Sequence, residues 1–443
     1  MATAELNIES IAAGGDGVAR DEGLVVFVPR TAPGDVALVE WFGHGRFARG
    51  KVRKLVAASS TRVDPVCEHY VRERCGGCQL QHMEYGAQLE AKSRIIRDAL
   101  LRIGKRDVPL PTVVASDDQW RYRRKLTLAM RRQGGQWLAG LHPYDAPGHV
   151  FQLRDCPITH EAVLSAWREV MSAAAELPRA AELRGAVRLG DTGTSFTLEG
   201  GVSWPRVARF FERTPSLTTL WWLRDGAERP VLLKQRATEE QAGGDAVGEA
   251  PDTAHSPGLI APARRPSDED SDEAPGASFE QVNAGVAVAV RAYVAERVAA
   301  HSPATVIDAY AGLGDLAVAL ASPECRVTAI ELDEDAAAWC ARRLPGDSRA
   351  VAARVEHALP EYLPADVVIL NPPRGGVDQR VTDELQNGAG STRAIVYVSC
   401  NPATLARDLT RLPRWRIASL LAFDMFPQTA HVETVCELVP EAA

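Results

Sequence analysis

Four cysteines have a spacing that is suited to metal binding. Cys67, Cys75 and Cys78 lie within twelve residues in the segment CEHYVRERCGGC, and Cys156 follows in a distant DCPI. Three thiols close in sequence with a fourth far away are typical of cubane iron–sulphur ligation, whereas zinc more often takes two CxxC pairs. The pattern therefore favours an iron–sulphur cluster, with a zinc site or four unconnected buried thiols as the alternatives.

A glycine turn follows an apolar strand in the C-terminal part of the chain. The segment DAYAGLGDL begins at Asp308, and its glycines at positions 312 and 314 would let a ligand approach the end of the strand. Glu331, at the end of the next predicted strand, could accept two ribose hydroxyls. It lies 23 residues after Asp308, close to the ~20 expected of nucleotide-binding folds. Because Ala317 replaces the third glycine of the dinucleotide fingerprint, the turn favours S-adenosylmethionine over nicotinamide or flavin.

Three further motifs end predicted strands of the same region. NPPR, at 371–374, would hold a rigid loop over the cofactor, or it is only a proline stop. VSCNP places Cys400 at the carboxyl edge of a sheet, where open α/β sheets bind ligands, so this thiol is a candidate nucleophile or a packed residue. Glu433, just before the last predicted strand, is a candidate base at the same edge or a surface acid.

The elements that would position these motifs differ along the chain. Strands alternate with helices after residue 279, which predicts a doubly wound, Rossmann-like α/β domain over 279–443. Residues 1–56 hold four or five short strands broken by glycines and predict a small, OB-like β-barrel, a fold that often binds oligonucleotides. The mixed region 57–236, with a helix predicted over 85–103, is expected to be an α+β domain that carries the cysteines.

Charge is distributed unevenly over the 443 residues, whose formal net charge is -8. Residues 237–278 hold ten acidic and two basic residues and no aromatic residue, which predicts a disordered acidic linker. We interpret it as a spacer, with RNA mimicry as the alternative. Residues 42–135 hold 20 Lys or Arg against nine acidic residues, and the densest part is WRYRRKLTLAMRR. Basic and aromatic side chains together suit phosphate contact and base stacking, so this region favours polyanion binding over a merely solvated surface.

Composition excludes several classes of protein. Hydrophobic residues make up 46% and charged residues 24%, which is ordinary for a soluble globular protein and excludes collagen and coiled coil. No apolar run approaches the ~20 residues that span a bilayer, and the first residues show no secretion signal. We therefore expect a cytoplasmic monomer without a membrane partner. Its eight cysteines are expected to be thiols, metal ligands or catalysts rather than disulfides.

The motifs, taken in order, resemble one enzyme family. CGGC, FEQVN, DAYAGLGDL, NPPR, VSCNP and HVET are similar to the RNA (uracil-5-)-methyltransferases, in particular to the branch with a TRAM domain and an iron–sulphur cluster that acts on 23S ribosomal RNA. The resemblance covers nearly the whole chain except the acidic linker. It implies a TRAM barrel over 1–56, an iron–sulphur and RNA-binding domain over 57–236, and an S-adenosylmethionine-dependent methyltransferase domain over 279–443.

The resemblance also implies roles for individual residues. Cys400 matches the catalytic nucleophile and Glu433 the general base. The candidate cofactor contacts are Gln281, Tyr310, Gly312, Asp315, Glu331 and Asn371. The implied ligands of a [4Fe–4S] cluster are Cys67, Cys75, Cys78 and Cys156. Seven residues separate the first two of these cysteines, where the family usually has five.

The family mechanism meets a chemical requirement, because carbon 5 of uracil is too weak a nucleophile to take a methyl group directly. Addition of the Cys400 thiolate to carbon 6 makes carbon 5 nucleophilic. Carbon 5 is then methylated, Glu433 removes its proton, and the thiolate leaves. The target uracil must leave its stack to reach the site.

Other functions fit parts of the pattern. Amino-group methyltransferases have loops similar to NPPR and need no thiol, and cytosine methylation also uses a thiol. A uridine of transfer RNA is an alternative substrate. A non-catalytic iron–sulphur RNA-binding protein is the alternative from another class, although Cys400 and Glu433 are both present.

Overall fold

The computed structural model describes residues 2–43, 45–190, 192–236, 281–388 and 390–441. The acidic segment predicted to be a linker, 237–278, lies outside the described residues. Within the described ranges the strands form three sheets of six, seven and eight strands. In the same ranges, no helix is both long enough and apolar enough to cross a membrane.

The N-terminal sheet curls into a half-barrel, in agreement with the predicted small barrel. Its strands are β1 (Ala2–Asn7), β2 (Ser10–Ile11), β3 (Gly17–Asp21), β4 (Leu24–Val28), β5 (Val36–Phe42) and β6 (Phe47–Ala57), in the order β1-β5-β6-β4-β3-β2. Buried and accessible residues alternate along β4 and β5, as expected when one face of a sheet covers a core. The buried face includes Leu6, Val26, Val28 and Val39.

The second sheet has seven strands in the order β10-β9-β8-β11-β12-β13-β14. The helices and strands of this region are α1 (Glu68–Val71), α2 (Tyr85–Arg102), β7 (Val113–Val114), β8 (Lys125–Gln133), β9 (Gln136–Leu141), β10 (Phe151–Gln152), α3 (Glu161–Ser172), β11 (Glu182–Gly190), β12 (Gly193–Glu199), α4 (Val207–Glu212), β13 (Leu217–Leu223) and β14 (Val231–Gln235). Trp167 of α3 packs edge-on against Phe196 of β12, so one face of this sheet is covered by helix while the other carries its polar residues.

The C-terminal sheet confirms the predicted doubly wound α/β fold. Its elements are α5 (Ala284–Ala299), β15 (Thr305–Ala309), α6 (Asp315–Leu320), β16 (Arg326–Glu331), α7 (Glu334–Arg343), β17 (Arg349–Ala352), α8 (Val355–Tyr362), β18 (Val367–Leu370), α9 (Gln379–Asn387), β19 (Ala394–Ser399), α10 (Pro402–Leu409), β20 (Trp415–Phe423) and β21 (Glu433–Pro440). The strand order is β17-β16-β15-β18-β19-β21-β20-β7. β21 runs antiparallel to both of its neighbours, and the other pairs are parallel. The four central strands are buried almost throughout, which explains their continuous apolar runs in the sequence.

Part of the cysteine-bearing region is built into this last sheet. β7 pairs with the end of β20 as its eighth strand. Ile96 and Leu100 of α2 are fully buried in the same core as Leu405 and Leu409 of α10. The sequence analysis assigned α2 and β7 to the domain over 57–236, whereas their apolar surface packs on elements some 300 residues further along the chain. The N-terminal regions are therefore held directly against the C-terminal sheet.

Candidate active site

Cys400 and Glu433 meet at the carboxyl edge of the C-terminal sheet. Cys400 follows directly after β19, and Glu433 is the first residue of the antiparallel strand β21. Ser399 pairs with Thr434 in the ladder between these strands, so the two candidate catalytic residues are brought to adjacent positions. Because β21 reverses direction, its start lies where the parallel strands end.

Glu433 has an unusual environment for a carboxyl group. Its residue is 2% exposed, and its Oε2 has no hydrogen-bond partner among the described residues. Burial raises the pKa of Glu433 to about 8, although the Arg374 guanidinium opposes this shift. A carboxyl group of this kind holds a proton near neutral pH and can accept one once it has been ionised.

The thiol of Cys400 is half-buried and lies close to two charged groups. Burial raises the pKa of Cys400, and the neighbouring Glu433 raises it further. Arg374, within hydrogen-bonding reach of the thiol, lowers it. Cys400 also lies one residue before Asn401, the N-cap of α10, and the amino end of a helix favours a thiolate. The surroundings therefore contain groups that oppose the thiolate and groups that stabilise it.

Arg374 is a site residue that the sequence analysis missed. It ends the NPPR motif, for which the sequence predicts a rigid loop over the cofactor or a proline stop. That loop is held from both sides, since Asn401 Nδ2 donates to the carbonyl of Arg374 at 3.4 Å and Arg407 donates to the carbonyl of Gly375 at 2.8 Å. The signal in the sequence was a cation fixed by two prolines at the end of a strand. The structure makes it the positive charge shared by Cys400 and Glu433.

His431 is a second residue that the sequence analysis left without a role. It lies in the loop of residues 424–432 that joins β20 to β21, here called the β20–β21 loop. Its ring has solvent-accessible surface, yet the surrounding protein desolvates it in part and lowers the pKa of His431. Three nearby cations lower that pKa further, namely Arg374, Lys92 and Arg123. The imidazole is thus a neutral hydrogen-bonding group beside the catalytic pair, and Arg123 brings the basic segment of the sequence to the site.

The candidate cofactor site at the carboxyl edge of the C-terminal sheet is built around Glu331, the last residue of β16. Its Oε2 accepts a hydrogen bond from Gly312 N at 2.8 Å, and its Oε1 accepts one from Asp333 N at 2.9 Å. Gly312 has φ +58°, and a Cβ on this residue would meet nothing within 4 Å. The glycine turn therefore borders open space next to a fixed carboxylate, as a ribose-binding site requires.

The remaining candidate cofactor residues have different surroundings. Tyr310 is half-buried with φ +64°, and Asn371 donates from its backbone to Ala309 O at 3.2 Å beside the same turn. Asp315 begins α6 and forms an ion pair with Arg343 at 2.9 Å. Gln281 lies two residues before Asn283, which is the N-cap of α5.

Asp308 supplies a buried polar atom that the protein does not satisfy. Its Oδ2 has no partner among the described residues. Burial, followed by the charge of Glu331, raises the pKa of Asp308 to about 7. An unpaired polar atom behind an open glycine turn suits a site completed by a polar ligand. These residues therefore fit S-adenosylmethionine.

The four cysteines of the predicted cluster are gathered in one place. Cys67 directly precedes α1, and Cys75 forms an isolated β-bridge with Pro143. Cys67 and Cys78 share an apolar cluster with Tyr122, against which Cys156 also packs. The short helix α1 lies between Cys67 and Cys75, and Cys67 stays with the other three cysteines in spite of the longer spacing.

The electrostatic surroundings agree with this grouping. Burial is the main cause of the raised pKa of each of the four thiols, and it raises the pKa of Cys75 to about 11. The pKa of Cys78 is raised further by the proximity of the other three thiols. In the described part of the chain, no three His, Cys, Asp or Glu side chains are spaced to hold a single metal ion.

The basic segment is partly neutralised within the fold. Arg121 forms a two-pronged contact with Asp155 at 2.9 and 3.1 Å, and Arg131 is paired with Glu182 of the next strand. Lys125 and Arg188 are direct neighbours in the ladder of β8 and β11, on the polar face of the sheet. A groove of about 530 Å³ lies on this face and is lined by residues that include Thr127, Arg131, His142 and Arg184.

The comparisons with known proteins agree with this geometry. Residues 348–439 match the family model of the tRNA (uracil-5-)-methyltransferases, and the matched range contains NPPR, Cys400 and Glu433. An uncharacterized RNA methyltransferase of Thermosynechococcus vestitus is 31% identical over 99% of this chain and 98% of its own length. One of Gloeobacter violaceus is 32% identical over 98% of this chain and 96% of its own.

A solved structure has the same fold over its whole length. The crystal structure of Pyrococcus abyssi tRNA (uracil-54, C5)-methyltransferase in complex with S-adenosyl-L-homocysteine is similar with a TM-score of 0.68, and the match covers 98% of this chain and 99% of that one. The identity is 24%, so this likeness shows a shared fold. The relatives show that the chain belongs to a family of RNA methyltransferases, and within it residues 348–439 match the model of the tRNA (uracil-5-)-methyltransferases.

Proposed function

We propose that this enzyme methylates carbon 5 of a specific uridine in 23S ribosomal RNA through a covalent adduct with Cys400. The observation that carries the proposal is the pairing of a half-buried thiol with a buried, unpaired carboxyl group beside Arg374. A methyltransferase that acts on an amino group would need no thiol at this position. The choice of 23S ribosomal RNA rests on the resemblance to the branch of the family that has a TRAM domain and an iron–sulphur cluster.

The proposed reaction begins at Cys400. Its thiolate adds to carbon 6 of the uracil, and the electron pair of the 5,6 double bond moves to carbon 5 and the carbonyl oxygen at carbon 4. S-adenosylmethionine, when bound, supplies the methyl group that carbon 5 takes. Glu433 then accepts the proton from carbon 5, the electron pair restores the double bond, and the Cys400 thiolate leaves.

The charges of the site determine the order in which Cys400 and Glu433 ionise during the proposed reaction. Two anions next to each other are unfavourable, and the Glu433 carboxylate raises the pKa of Cys400. Addition to uracil turns the thiolate into a neutral thioether, so the repulsion disappears and Glu433 ionises more easily. Arg374 stabilises each anion in its turn. Glu433 is thus protonated while the thiolate attacks, and it releases that proton to water before it accepts the proton from carbon 5.

The cofactor is proposed to bind at the glycine turn. Glu331 would accept the ribose hydroxyls, and the open space at Gly312 would admit the ligand. The remaining proposed contacts are Gln281, Tyr310, Asp315 and Asn371. Asp315 would have to share its carboxylate with Arg343.

We further propose that the four gathered cysteines hold a [4Fe–4S] cluster. Three buried thiols and the half-buried thiol of Cys156, with no disulfide between them, form a donor set that suits iron and sulphide. A cluster is larger than a single ion, so thiols that lie together but too far apart to hold one ion are compatible with it. Protein purified without oxygen should be brown and carry about four irons per chain, the content of one cubane cluster. A colourless preparation with one zinc per chain would reject this proposal.

The RNA is proposed to approach over the half-barrel, as a TRAM domain, and over the polar face of the seven-stranded sheet. Arg123 lies near His431 and also near Lys125, which in turn neighbours Arg188 across the ladder. A row of cations therefore leads from the catalytic pair onto the sheet. Such a row suits the phosphates of a strand that presents an unstacked base.

The function is tested by mapping modified nucleotides in RNA from cells with and without the protein. Loss of 5-methyluridine from one position of 23S ribosomal RNA is the expected result, and the purified enzyme should restore it on RNA from the deletion strain. Loss of 5-methyluridine from transfer RNA would change the substrate and keep the chemistry. Loss of 5-methylcytidine, or no loss of any methylated base, would overturn the proposal.

A further inference from the structure

The β20–β21 loop, which delivers His431 and Glu433, is anchored from outside its own domain. Tyr122 donates from its hydroxyl to Pro427 O at 2.9 Å, and the buried Lys92 pairs with Asp424 and donates to Phe426 O at 3.1 Å. Both anchors belong to the region before the seven-stranded sheet. The position of the candidate base is thus set by residues that are 300 or more positions earlier in the chain.

The centre of the loop is held by two glutamines. Gln88 of α2 forms a reciprocal pair with Gln428, since its Nε2 donates to Gln428 Oε1 at 3.0 Å and its Oε1 accepts from Gln428 N at 3.0 Å. The backbone N–H groups of Gln79 and Leu80 donate to Gln428 O at 3.2 and 3.0 Å. Gln428 has φ +70° and is 3% exposed, so these bonds stabilise a strained, buried turn.

Gln79 also contacts the β20–β21 loop at a residue that lies nearer to Glu433 than Gln428 does. Its Oε1 accepts a hydrogen bond from Ala430 N at 3.3 Å, and its Nε2 donates to Gly76 O at 2.9 Å. Ala430 directly precedes His431 and lies three residues before Glu433. One side chain therefore joins the CGGC turn to the end of the loop that carries the base.

The half-barrel also packs against Gln79. Gly15 has φ +88°, and a Cβ on it would collide with the side chain of Gln79 and lie 3.3 Å from Ala430 Cβ. From the same barrel, Arg30 donates to Cys75 O at 3.0 Å and lies 3.7 Å over the ring of Tyr70. The packing around Gln79 leaves little room for the side chain to move.

We propose that Gln79 is a positioning residue for Glu433, and that it couples the cysteine segment to the removal of the proton from carbon 5. The inference rests on the proposed function, because it assigns Gln79 to one step of that reaction. The hydrogen bonds of the Gln79 side chain in the described structure go to Gly76 and Ala430, not to Cys400, Glu433 or Glu331. The side chain of Gln79 acts through the Ala430 N–H, two residues after the turn at Gln428, so its loss should affect the base step and leave cofactor binding unchanged.

The test compares Gln79→Met with a matched control. Methionine has a similar length and forms neither hydrogen bond. Gln386→Met is the control, since Gln386 Oε1 accepts from Arg414 N at 3.2 Å, a bond of the same kind at the other end of β20. Each protein is isolated without oxygen, its iron is quantified, and its affinity for S-adenosylhomocysteine is measured by calorimetry. RNA that the wild type methylates, tritiated at carbon 5 of uridine, then reports proton removal as released tritium.

The expected result separates the steps of the reaction. Gln79→Met should form the covalent adduct at the wild-type rate and release tritium on the order of tenfold more slowly, because small misplacements of a catalytic group are costly. Water admitted by the loosened loop should also lower the apparent pKa of tritium release below that of the wild type. Gln79→Glu keeps the acceptor for Ala430 N and should recover most of the rate. Gln386→Met should match the wild type.

Other outcomes overturn the proposal. Wild-type tritium release with an unchanged pH profile in an iron-loaded Gln79→Met would remove Gln79 from the base step. Equal slowing of adduct formation and release would mean a general structural defect. If Gln79→Met loses its iron, Gln88→Met gives the decision, because it loosens the same turn from α2, and an unchanged release rate there would reject positioning by this loop. Failure of the proposed function is distinguishable, since the wild type itself would then release no tritium.

Discussion

The buried carboxyl group of Glu433 lies close enough to Cys400 to raise the pKa of its thiol, and Arg374 lowers the pKa of both groups. The three residues come from three separate segments that end at the same edge of the sheet. A thiol and an acid that must be anionic at different moments share one cation. The chemistry of this site therefore depends on pH and on Arg374 in ways that can be measured.

Replacing Cys400 should abolish methyl transfer without emptying the cofactor site. Cys400 is the nucleophile of the proposed reaction. Cys400→Ala removes it, so activity should fall to background. Affinity for S-adenosylhomocysteine, measured by calorimetry, should remain within about twofold, since Glu331 and the glycine turn are untouched. With 5-fluorouridine RNA the wild type should form a stable adduct, because fluorine cannot leave as a proton. Turnover retained by the variant would remove Cys400 from the mechanism.

Replacing Glu433 should separate methylation from release. Glu433→Gln keeps the size of the side chain and cannot accept the proton from carbon 5, so methylated RNA should remain linked to Cys400. Denaturing gels should show RNA-linked protein accumulating as methyl groups are incorporated. The conservative change Glu433→Asp should release RNA slowly but measurably. Release from Glu433→Gln at the wild-type rate would assign the base to another residue.

The same substitution should stabilise the folded protein at neutral and higher pH. The folded pKa of Glu433, about 8, lies above the ordinary value of 4.5, so the folded state holds a proton that the unfolded chain loses between these pH values. Stability from this group is therefore present below pH 4.5 and falls by up to about 1.4 kcal/mol per pH unit as the pH rises towards 8. Glu433→Gln has no such loss. Thermal unfolding should show a gain for the variant that grows between pH 5 and 8, and a gain independent of pH would contradict the burial argument.

Removing the charge of Arg374 should move the pH profile of the enzyme upward. Arg374 lowers the pKa of both Cys400 and Glu433, so Arg374→Met raises both, and each anion then forms only at higher pH. We expect the apparent pKa of single-turnover methylation to rise by about one unit. Arg416→Met changes an exposed arginine at the opposite end of β20 and should leave the profile unchanged. A parallel loss of activity at all pH values would mean that Arg374 only binds RNA.

Regular elements were predictable from sequence where their signal is local. The apolar runs around Asp308 and before Cys400 mark buried parallel strands, and β15 and β19 form there. Helix α2 was expected over 85–103 and covers Tyr85–Arg102. Its packing partner was not predictable, because an apolar helix face does not say which sheet will cover it.

The candidate site was also predictable from the sequence only in part. Cys400 and Glu433 could be placed at one edge because each lies at the end of a strand, and the geometry of an open sheet does the rest. The roles of Arg374 and Gln79 could not be read in this way. Each acts through contacts with segments far away in the chain, and a single arginine or glutamine in a loop has no periodic signal.

Helix α2 and strand β7 lie early in the chain but pack in the C-terminal sheet, and this arrangement affects the order of folding. α2 and β7 leave the ribosome more than 300 residues before β20, the strand that β7 pairs with. Until then, the apolar face around Ile96 and Leu100 has no permanent cover. A fragment that starts at residue 279 would lack both the edge strand and this helix, and should expose the complementary surface of α10. The catalytic sheet is therefore completed by a part of the chain that is made long before its last strands, and the protein should unfold as one cooperative unit rather than shedding its N-terminal regions first.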